Sequence, residues 1–434
     1  MRIVADLHIH SKYSRATSRD LDLPNLWAWA QMKGIDVIGT GDFTHPQWFQ
    51  ELSEQLEETA LGFYQLKEAE QSKAKVAVPV VCQRDVYFVP TVEISTIYKK
   101  KDRVRKIHQI IVAPNLKQAA RLNEKLDKIG NIRSDGRPIL GLDSKELLKL
   151  VLSLSEDFLY IPAHAWTPHF AVFGSQSGFD SLKECYEELT PNIYAIETGL
   201  SSDPPMNWRL SQLDNLVLVS NSDAHSPQKL GREANLLDIE PNYPALYQAI
   251  REHRRDQFLG TIEFFPEEGK YHLDGHRDCG VCLEPQESLK REGLCPKCGR
   301  KLVLGVLHLV EKLADKPYVE TQDFASLHTA ARPFESIIPL AEMVAEMMGV
   351  KSSTSPRVQN LYFELLAKFG SEFFILRQLD LTTLANMGYQ KLSEGIVAMR
   401  EGRVLKKAGY DGEFGVIKVF QGVKQKKQMK LFSD

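Results

Sequence analysis

Seven short apolar runs alternate with helix-like stretches through the first 265 residues of this 434-residue chain, and few folds are compatible with that alternation. It predicts an α/β domain with a mainly parallel sheet. Helices are expected at 24–33, beginning at Pro24 and ending before Gly34, and at 144–154, with Ser144 as the N-cap. Strands are expected at residues 3–7, 36–39, 86–92, 109–113, 158–163, 193–196 and 216–220.

Residues of the types that bind metal ions stand beside the ends of these apolar runs. They are His8, His10, Asp42, His45, Glu93, His108, His164, Glu197, Asp223 and His225. A β/α barrel gathers the carboxyl ends of its strands on one face, where active sites lie. An open doubly wound sheet gathers only some of them at its switch point. We therefore predict a barrel over residues 1–265 with a metal site at one end.

The segment Asp6-Leu7-His8-Ile9-His10 places two imidazoles on one side of an extended chain, because side chains two residues apart share a strand face. Imidazole suits Zn, Fe or Mn, and Asp6 is a candidate to orient a ligand histidine through its other ring nitrogen. The alternative is a pair of solvent-facing histidines. The segment 220–225, with Asp223 and His225, repeats the pattern after a second apolar run, which favours metal binding.

The acidic residue Glu93 suits a site with two metal ions. A bridging carboxylate fits metals roughly 3.5–4 Å apart, a pair that can activate water and clamp the attacking and leaving oxygens of a phosphodiester.

Four of the six cysteines form two C-x-x-C pairs, Cys279 with Cys282 and Cys295 with Cys298, separated by twelve residues. This pattern predicts a structural zinc ribbon at residues 266–306, because four thiolates complete a tetrahedral site and leave no open position. His272 and His276 lie nearby, but four cysteines already suffice. The other two cysteines, Cys82 and Cys185, are expected to be ordinary half-buried thiols.

Residues 307–434 are predicted to form a helical C-terminal region, with helices at 339–348 and 357–369 and a basic tail at 424–430. The balance of 54 Lys and Arg against 57 Asp and Glu excludes a chain that is basic throughout. Basic residues cluster in the tail and in two other runs, and each run is either a DNA-phosphate contact or a solvated surface. These two runs are Lys99, Lys100, Lys101, Arg103, Arg105 and Lys106, and Arg251, Arg254 and Arg255.

No stretch approaches the roughly 20 apolar residues that span a bilayer, and the N-terminus enters a structured segment at once, without a signal peptide. We therefore expect no membrane partner and a cytoplasmic, nucleoid-associated location.

Four motifs together resemble the polymerase and histidinol phosphatase (PHP) superfamily over about residues 1–262: D-x-H-x-H at 6–10, VPTVEIS at 89–95, IPAHAW at 161–166 and SDAH at 222–225. The resemblance implies a distorted seven-stranded β/α barrel that binds up to three metals and hydrolyses phosphoesters. By this resemblance His8, His10, Glu93 and Asp223 hold one metal, and Glu93 bridges to a second held by His108 and His164. Asp42 and His225 would help to hold a third metal. The catalytic residues that the resemblance implies are Asp223, Glu93 and His225.

The chain departs from the superfamily pattern at two places. The usual T-D-H reads Thr40-Gly41-Asp42 here, so His45 is a candidate to compensate for the missing histidine. No ligand type is present at Ser14-Arg15-Ala16, where an extra ligand often follows the first motif. His169 and Glu197 are spare candidates, either as ligands or as neighbours of ligands.

The order of a PHP-like barrel, a four-cysteine zinc site and a helical region ending in YDGEFGVIKVF at 410–420 resembles the endonuclease Q family over nearly the whole chain. The resemblance implies a DNA repair endonuclease that cuts 5′ to deaminated bases (uracil, hypoxanthine, xanthine) and to abasic sites. Metal-activated water would act beside a flipped-out lesion and leave 3′-OH and 5′-phosphate ends. It also implies Zn in both metal sites, a requirement for Mg or Mn, and damaged DNA, double- or single-stranded, as the partner.

A lesion pocket beside the metals is expected to contain two or three contacts from six candidates: Tyr13, Phe43, Trp166, Phe170, Phe173 and Asn221. Two other functions stay open, a PHP phosphatase acting on a phosphate monoester and a non-catalytic DNA-binding or helicase-associated module. Residues 332–350 resemble a tail found on some DNA helicases. Lys430-Leu431-Phe432 is a candidate sliding-clamp tail.

Overall fold

The computed structural model describes residues 1–317 and 331–420, so the predicted basic and clamp-binding tail lies outside the described residues. The fold is α/β with a helical C-terminal region. The α-helices are Leu23–Lys33, Pro46–Gln55, Glu68–Gln71, Leu116–Leu126, Ser144–Leu154, Leu182–Tyr186, Pro204–Asn207, Tyr243–Arg251, Pro285–Lys290, Val306–Leu313, Leu340–Met348, Pro356–Phe369, Leu381–Leu384 and Gln390–Arg400. Two π-helical turns, Phe374–Gln378 and Ala385–Tyr389, lie between the last helices.

The strands are numbered in chain order. They are β1 (Arg2–Asp6), β2 (Val37–Gly39), β3 (Leu56–Ala60), β4 (Phe63–Leu66), β5 (Tyr87–Val89), β6 (Thr91–Lys100), β7 (Arg103–Val112), β8 (Ile139–Leu140), β9 (Leu159–Pro162), β10 (Ala195–Glu197), β11 (Val217–Val219), β12 (Ala234–Asp238), β13 (Phe258–Glu263), β14 (Asp274–His276), β15 (Val281–Leu283), β16 (Phe334–Ser336), β17 (Leu405–Lys407) and β18 (Val416–Lys418).

Three sheets build the first region. An eight-stranded sheet has the order β16-β13-β12-β1-β2-β5-β4-β3, a four-stranded sheet has the order β8-β6-β7-β9, and β10 pairs with β11. The pairs β1–β2, β2–β5, β10–β11, β13–β16 and β6–β8 are parallel. The pairs β1–β12, β12–β13, β3–β4, β4–β5, β6–β7 and β7–β9 are antiparallel, so the sheets are mixed and the prediction of a mainly parallel sheet is wrong. In the described part of the chain no ladder joins the three sheets into one ring.

The helix boundaries follow from capping residues. Helix Leu23–Lys33 begins after Asp22, whose side chain accepts a hydrogen bond from the amide of Asn25, and it ends at Gly34 in the left-handed region with φ 93°. Helix Ser144–Leu154 also lies where it is expected. Its predicted N-cap is wrong, because the side chain of Asp143, not Ser144, accepts the first free amide, that of Lys145.

The two strands expected at 86–92 and 109–113 belong partly to a long hairpin that periodicity did not indicate. Strands β6 and β7 pair over their full length, from Thr91 opposite Val112 to Lys100 opposite Arg103. The basic run at 99–106 therefore forms the far end of a β-hairpin. Its alternating Lys and Arg side chains hid the strand, since charged residues are depleted in strands generally.

The C-terminal helices pack directly on the first region. Strand β16 extends the large sheet by pairing with β13, and the ring of Trp29 stacks on that of Tyr362 with 6.3 Å between centroids. The ammonium of Lys33 is buried 2.6 Å from Glu372. The helical region and the sheet domain therefore share one core. In the described ranges, no helix combines the length and the apolarity needed to cross a bilayer.

Candidate metal-dependent active site

Two groups of metal-ligand side chains lie side by side and share the carboxylate of Glu93. The first group is His8, His10, Glu93 and Asp223, and the second is Glu93, His108 and His164. Within each group the ligand atoms lie within 4.8 Å of one another. This is the arrangement that the sequence motifs predict for two metals with a bridging carboxylate.

Strand geometry explains how distant residues meet here. His8 and His10 follow β1, His164 follows β9, and Asp223 follows β11. Glu93 and His108 lie within β6 and β7, where the hairpin pairs Glu93 with Ile110 and Ser95 with His108. Their side chains share one face of that hairpin and point to the carboxyl ends of the other strands.

Glu93 is buried and surrounded by imidazoles. Its Oε1 lies 3.0 Å from Nε2 of His164 and also contacts Nδ1 of His108, and its Oε2 lies 3.4 Å from Nε2 of His10. Burial opposes ionisation, but the neighbouring histidines outweigh it and hold the pKa of Glu93 well below its usual value. The carboxylate is therefore charged, as a bridging ligand must be.

The surroundings of the two ring nitrogens indicate that His8 can bind a metal ion. Its Nδ1 lies 3.1 Å from both carboxylate oxygens of Glu197, whereas its buried Nε2 has no hydrogen-bond partner. A carboxylate that holds one ring nitrogen and leaves the other free is the usual support of a metal-ligating histidine. Glu197 also accepts hydrogen bonds from the amide of His164, at 2.7 Å, and from Asn221, at 2.9 Å.

Asp42 supports His10 in a similar way. Its Oδ1 lies 3.2 Å from Nδ1 of His10, and its Oδ2 accepts hydrogen bonds from the amide and hydroxyl of Ser11 and from Ser14. Nε2 of His10 lies 3.0 Å from Oδ1 of Asp223. Asp42 thus contacts a candidate ligand and lies outside the two ligand groups, and its role as a metal ligand stays a prediction.

The residues expected at a third metal are not gathered into a group among the described residues. The ring of His225 lies 4.7 Å from that of His10, and its Nδ1 is 2.8 Å from the backbone oxygen of Asp223. His45 stacks on Tyr13 with 4.3 Å between ring centroids.

Asp6 has a different role from the predicted one. Its carboxylate accepts hydrogen bonds from the amides of Ser222 and Gly231, both at 3.0 Å, and holds the loop that carries Asp223. Burial raises the pKa of Asp6 to about 6.

Several residues of the site are held in the left-handed backbone region. This conformation costs a non-glycine residue free energy, and residues that adopt it are concentrated at functional sites. They are Asp42 with φ 51°, His164 with φ 28°, Phe170 with φ 60° and Asp223 with φ 46°. The surrounding fold therefore maintains these side-chain positions against local preference.

A cavity of about 520 Å³ opens beside the second group. Among its lining residues are Arg15, Arg137, His169 and Phe170. The ring of Phe170 lies 4.6 Å from that of His108, and its backbone oxygen accepts a 2.9 Å hydrogen bond from the amide of His108. A cavity of this size holds one small-molecule-sized group.

Only one of the six candidate lesion contacts lines this cavity, Phe170. Tyr13 is partly exposed, but its hydroxyl donates to Glu51 at 2.6 Å. The other four are buried, three of them aromatic rings in the hydrophobic core and one an asparagine whose amide donates to Glu197. They are Phe43, Trp166, Phe173 and Asn221.

Arg137 was missed by sequence reasoning. Its Nη1 donates to Oε2 of Glu93 at 3.1 Å, and 28% of its side chain is exposed at the cavity. It follows Gly136, where a Cβ would lie 2.3 Å from Oδ2 of Asp42. Neither Gly136 nor Arg137 is a residue type that commonly binds metal ions, and both lie in a loop. Only the packing of that loop against the site therefore indicates the role of Arg137.

Most of the basic side chains at 99–106 already contact acidic or aromatic residues of the protein. Lys100 pairs with Glu187 at 2.8 Å, Arg105 is buried against Phe179, and Lys99 lies 3.3 Å from Asp102. Lys106 lies over the ring of Phe170, 5.6 Å from its centroid, and is the member of the run nearest the cavity aromatic. In the second run Arg251 packs over Tyr194 and Tyr247.

The cysteine-rich segment forms a third group of ligand types. Its members are His276, Cys279, Cys295 and Cys298, whose ligand atoms lie within 4.8 Å of one another. Cys282 lies outside this group and is exposed. Of the other thiols, Cys82 and Cys185 are buried, more fully than expected, and burial raises the pKa of both, to about 11 and 12.

Comparison with known sequences gives a family model and two curated relatives, one of which is the uncharacterized protein YqxK of Bacillus subtilis, 26% identical over 96% of this chain and 99% of that protein. A family model described as the MJ0043 C-terminal domain matches residues 339–403. The uncharacterized protein MJ0043 of Methanocaldococcus jannaschii is 32% identical over 279 residues, which are 61% of this chain and 33% of that protein. The chain thus spans about a third of the length of this curated relative.

Two solved structures match nearly the whole chain. The lesion-specific endonuclease PfuEndoQ from Pyrococcus furiosus is 30% identical with a TM-score of 0.81, and the match covers 96% of both chains. The crystal structure of endonuclease Q with a 27-mer duplex substrate, which carries an abasic lesion at the active site, is 29% identical with a TM-score of 0.80 and covers 99% of both chains.

Proposed function

This chain belongs to the endonuclease Q family, and from that premise we propose that it cuts DNA on the 5′ side of deaminated bases and abasic sites. A metal-dependent, lesion-specific DNA repair endonuclease is the activity that the solved relatives support. The finer proposal is that uracil, hypoxanthine, xanthine and abasic sites are all substrates, and that the products carry 3′-OH and 5′-phosphate ends.

The observation that carries this proposal is the pair of ligand groups that share Glu93 beside a cavity. Metal ions held by His8, His10, Glu93 and Asp223, and by Glu93, His108 and His164, would supply an activated water and neutralise charge on the phosphate. The imidazole-rich donor set suits Zn or Mn.

The protein's own residues position these ligands and the substrate. Glu197 fixes the ring of His8 and the backbone of His164, and Asp42 fixes His10. Arg137 presents its guanidinium at the cavity beside Glu93, where it can bind a non-bridging oxygen of the scissile phosphate. In this role it neutralises charge that develops on the phosphate during cleavage.

The cavity supports a flipped nucleotide as the recognised form of the lesion. Enzymes that act at a damaged base extrude it from the stack, at a cost that is lowest for a mispaired or missing base. The partly exposed ring of Phe170 offers a face on which an extruded base or an exposed neighbour can stack. Lys106, above that ring, is suited to contact the adjoining backbone.

We also infer that the three sheets of the first region form the distorted (β/α)7 barrel of PHP enzymes. Support comes from the convergence of ligands that follow β1, β9 and β11 on one site. The proposed division of the chain is a barrel at 1–265, a metal-binding unit at 266–306 and a DNA-binding helical region from 307.

A nicking assay tests the proposed function. The substrates are labelled duplexes that differ only at one position, with a normal base, uracil, hypoxanthine, xanthine or an abasic site. We expect a cut on the 5′ side of each lesion and none in the normal duplex. Failure to cut any lesion, with rapid hydrolysis of a phosphate monoester by the same metal-loaded sample, would replace the proposal with a small-molecule phosphatase.

A further inference from the structure

One wall of the cavity beside the second ligand group carries an exposed isoleucine. We propose that Ile139 is a wedge residue, which enters the DNA stack at the place that an extruded lesion leaves. This inference rests on the proposed function and adds to it the residue that keeps the duplex open. Ile139 is 58% exposed and lines the cavity together with Arg137 and Phe170.

The position of Ile139, more than its exposure, carries the argument. Single exposed apolar residues are common on protein surfaces and indicate nothing by themselves. Among the large apolar residues that are exposed in the described ranges, however, Ile139 alone lines this cavity. The surface beyond it is open, since a Cβ added at Gly141 would meet no atom within 4 Å. The side chain of Ile139 is therefore free to contact a substrate in the cavity.

Strand register fixes where Ile139 lies relative to the candidate metals. Ser95 of β6 pairs with His108 of β7 on one side and with Ile139 of β8 on the other. All three residues line the cavity, so they form a row along its wall. Neighbouring strands lie about 4.8 Å apart, which places the backbone of Ile139 roughly 10 Å from that of the ligand candidate His108. This separation is comparable with the reach of one nucleotide from its backbone phosphate to its base.

Burial alternates along the segment that carries Ile139. Gly136, Pro138 and Leu140 are buried, whereas Arg137 is partly exposed and Ile139 is exposed. Arg137 and Ile139 therefore face the same cavity from positions two residues apart. The guanidinium is placed to contact the phosphate backbone, and the isoleucine is placed to contact the adjoining bases.

Contacts on both sides hold this segment in place. The amide of Gly136 donates to the backbone oxygen of Tyr13 at 3.0 Å, and the amide of Ser95 donates to the backbone oxygen of Pro138 at 3.0 Å. Strand β8 is paired with β6 at Ile139 itself. A side chain can hold two bases apart only when its backbone is fixed, and a residue on a paired strand meets that requirement better than one on a free loop.

The chemistry of isoleucine suits a gap between stacked bases. Extrusion of a nucleotide removes a stacking partner from both neighbouring bases, and proteins that open or kink DNA frequently insert an apolar side chain at such a step. Ile139 has no hydrogen-bonding group in its side chain, so it fills the gap without selecting the bases on either side. The two apolar residues of the cavity then have separate tasks. Phe170 contacts the extruded base, and Ile139 occupies the space that the base has left and so opposes its return.

A comparison of paired and unpaired lesions tests the wedge. Two labelled duplexes carry the same uracil, either paired with adenine or placed within an unpaired bubble. We expect Ile139→Ala to lower kcat/KM on the paired uracil by about 10-fold or more, because the cost of opening the stack is then not offset. On the bubble, where no stack has to be opened, the variant should cut at nearly the wild-type rate. Ile139→Leu should recover most of the activity on the paired uracil, since it restores an apolar side chain of the same volume.

Ile129→Ala is the matched control, because Ile129 is also an exposed isoleucine and does not line the cavity. A second readout is the fluorescence of 2-aminopurine placed beside the paired uracil, which rises when this base loses its stacking partner. After rapid mixing, wild type and Ile129→Ala should give this rise before the cut. Ile139→Ala should give a smaller rise.

Equal slowing of Ile139→Ala on both substrates would overturn the inference, because the loss would then not depend on opening the stack. Cutting of the paired uracil by Ile139→Ala at the wild-type rate would also overturn it. Both results leave the proposed function intact, since wild type cuts the lesion in each case. A wild-type enzyme that cuts neither substrate would instead overturn the proposed function, and the wedge with it.

Discussion

Nη1 of Arg137 lies 3.1 Å from Oε2 of Glu93, so a partly exposed guanidinium touches the one carboxylate that both ligand groups share. The contact places a fixed positive charge between the candidate metals and the cavity. A phosphate entering the cavity would meet Arg137 and the metal groups together, which is the geometry expected for charge neutralisation during phosphodiester cleavage.

Replacement of Arg137 by alanine is therefore expected to lower kcat by about 10²–10³-fold, a range typical for loss of one charge-stabilising donor. Arg137→Lys should recover part of the activity, since it keeps the charge but not the two-pronged geometry. Arg133→Ala is the matched control, because Arg133 lies in the same loop and pairs with Asp127 outside the cavity. Equal activity of Arg137→Ala and Arg133→Ala would show that Arg137 does not stabilise the phosphate during cleavage.

Glu197→Gln should weaken metal binding at the active site by about 10–100-fold, the usual effect of losing a carboxylate behind a ligating histidine. The carboxylate holds Nδ1 of His8 and the amide of His164. Titration with Mn²⁺, followed by electron paramagnetic resonance, measures the loss. Glu188→Gln is the control, since Glu188 is an exposed carboxylate paired with Lys145. Unchanged Mn²⁺ affinity in Glu197→Gln would contradict the assigned role.

Phe170→Ala is expected to raise KM for lesion-containing DNA, since loss of one stacked base costs about 1–3 kcal/mol. A change mainly in KM, with metal affinity unchanged, is the expected result of steady-state nicking and Mn²⁺ titration. Leu61→Ala, which removes an exposed apolar side chain of the first region that does not line the cavity, should have little effect on cutting. Normal KM in Phe170→Ala would show that the ring does not contact the substrate.

Stability should fall with rising pH because of the buried carboxyl of Glu263. Burial is the main cause that raises its pKa to about 8, against hydrogen bonds from Thr261 and Thr198 that lower it. The folded-state pKa is above the unfolded value of about 4.5. The stabilising protonation is therefore fully present below about pH 4.5 and lost as the pH rises through 8.

Glu263→Gln removes this titration. Thermal unfolding should show a higher Tm than wild type at pH 8, where the free energy of unfolding should be larger by on the order of a few kcal/mol at most, and little or no gain at pH 5. The buried carboxyl of Glu233, directly before β12, also has a pKa raised by burial and by the charge of Glu263, so the gain is measured with Glu233 intact. A Glu263→Gln protein that is equally destabilised at both pH values would contradict this prediction.

Sequence reasoning named the side chains that the structure gathers into two candidate ligand groups, because most of these histidine and carboxylate side chains directly follow short apolar strands. The carboxyl ends of the strands converge, and this rule alone predicts that four of these residues lie together: His8, His10, His164 and Asp223. Asp42 also follows a short strand, but its carboxylate is hydrogen-bonded to His10. Which group a carboxylate contacts depends on the packing of its loop, and the hydrophobic pattern of the sequence does not indicate that packing.

The cysteine-rich segment shows a different limit. The C-x-x-C spacing predicts Cys282 as a fourth ligand, whereas the group that the structure brings together contains His276 in its place, and the spacing alone does not indicate this difference. Arg137 and the long hairpin of β6 and β7 were missed for a related reason. Both depend on contacts between segments far apart in sequence, and neither has a strong local pattern.

The central claim is that the group containing Asp223 performs lesion-directed cutting, and Asp223→Asn tests it most directly. Asparagine tolerates the left-handed backbone of this position, so the fold should be retained, as judged by an unchanged circular dichroism spectrum. On a labelled duplex with one abasic site and metal present, wild type should cut immediately 5′ of the lesion, and the variant should be at least about 10³-fold slower. Cutting by folded Asp223→Asn at the wild-type rate, or cutting by wild type irrespective of the lesion, would contradict the account.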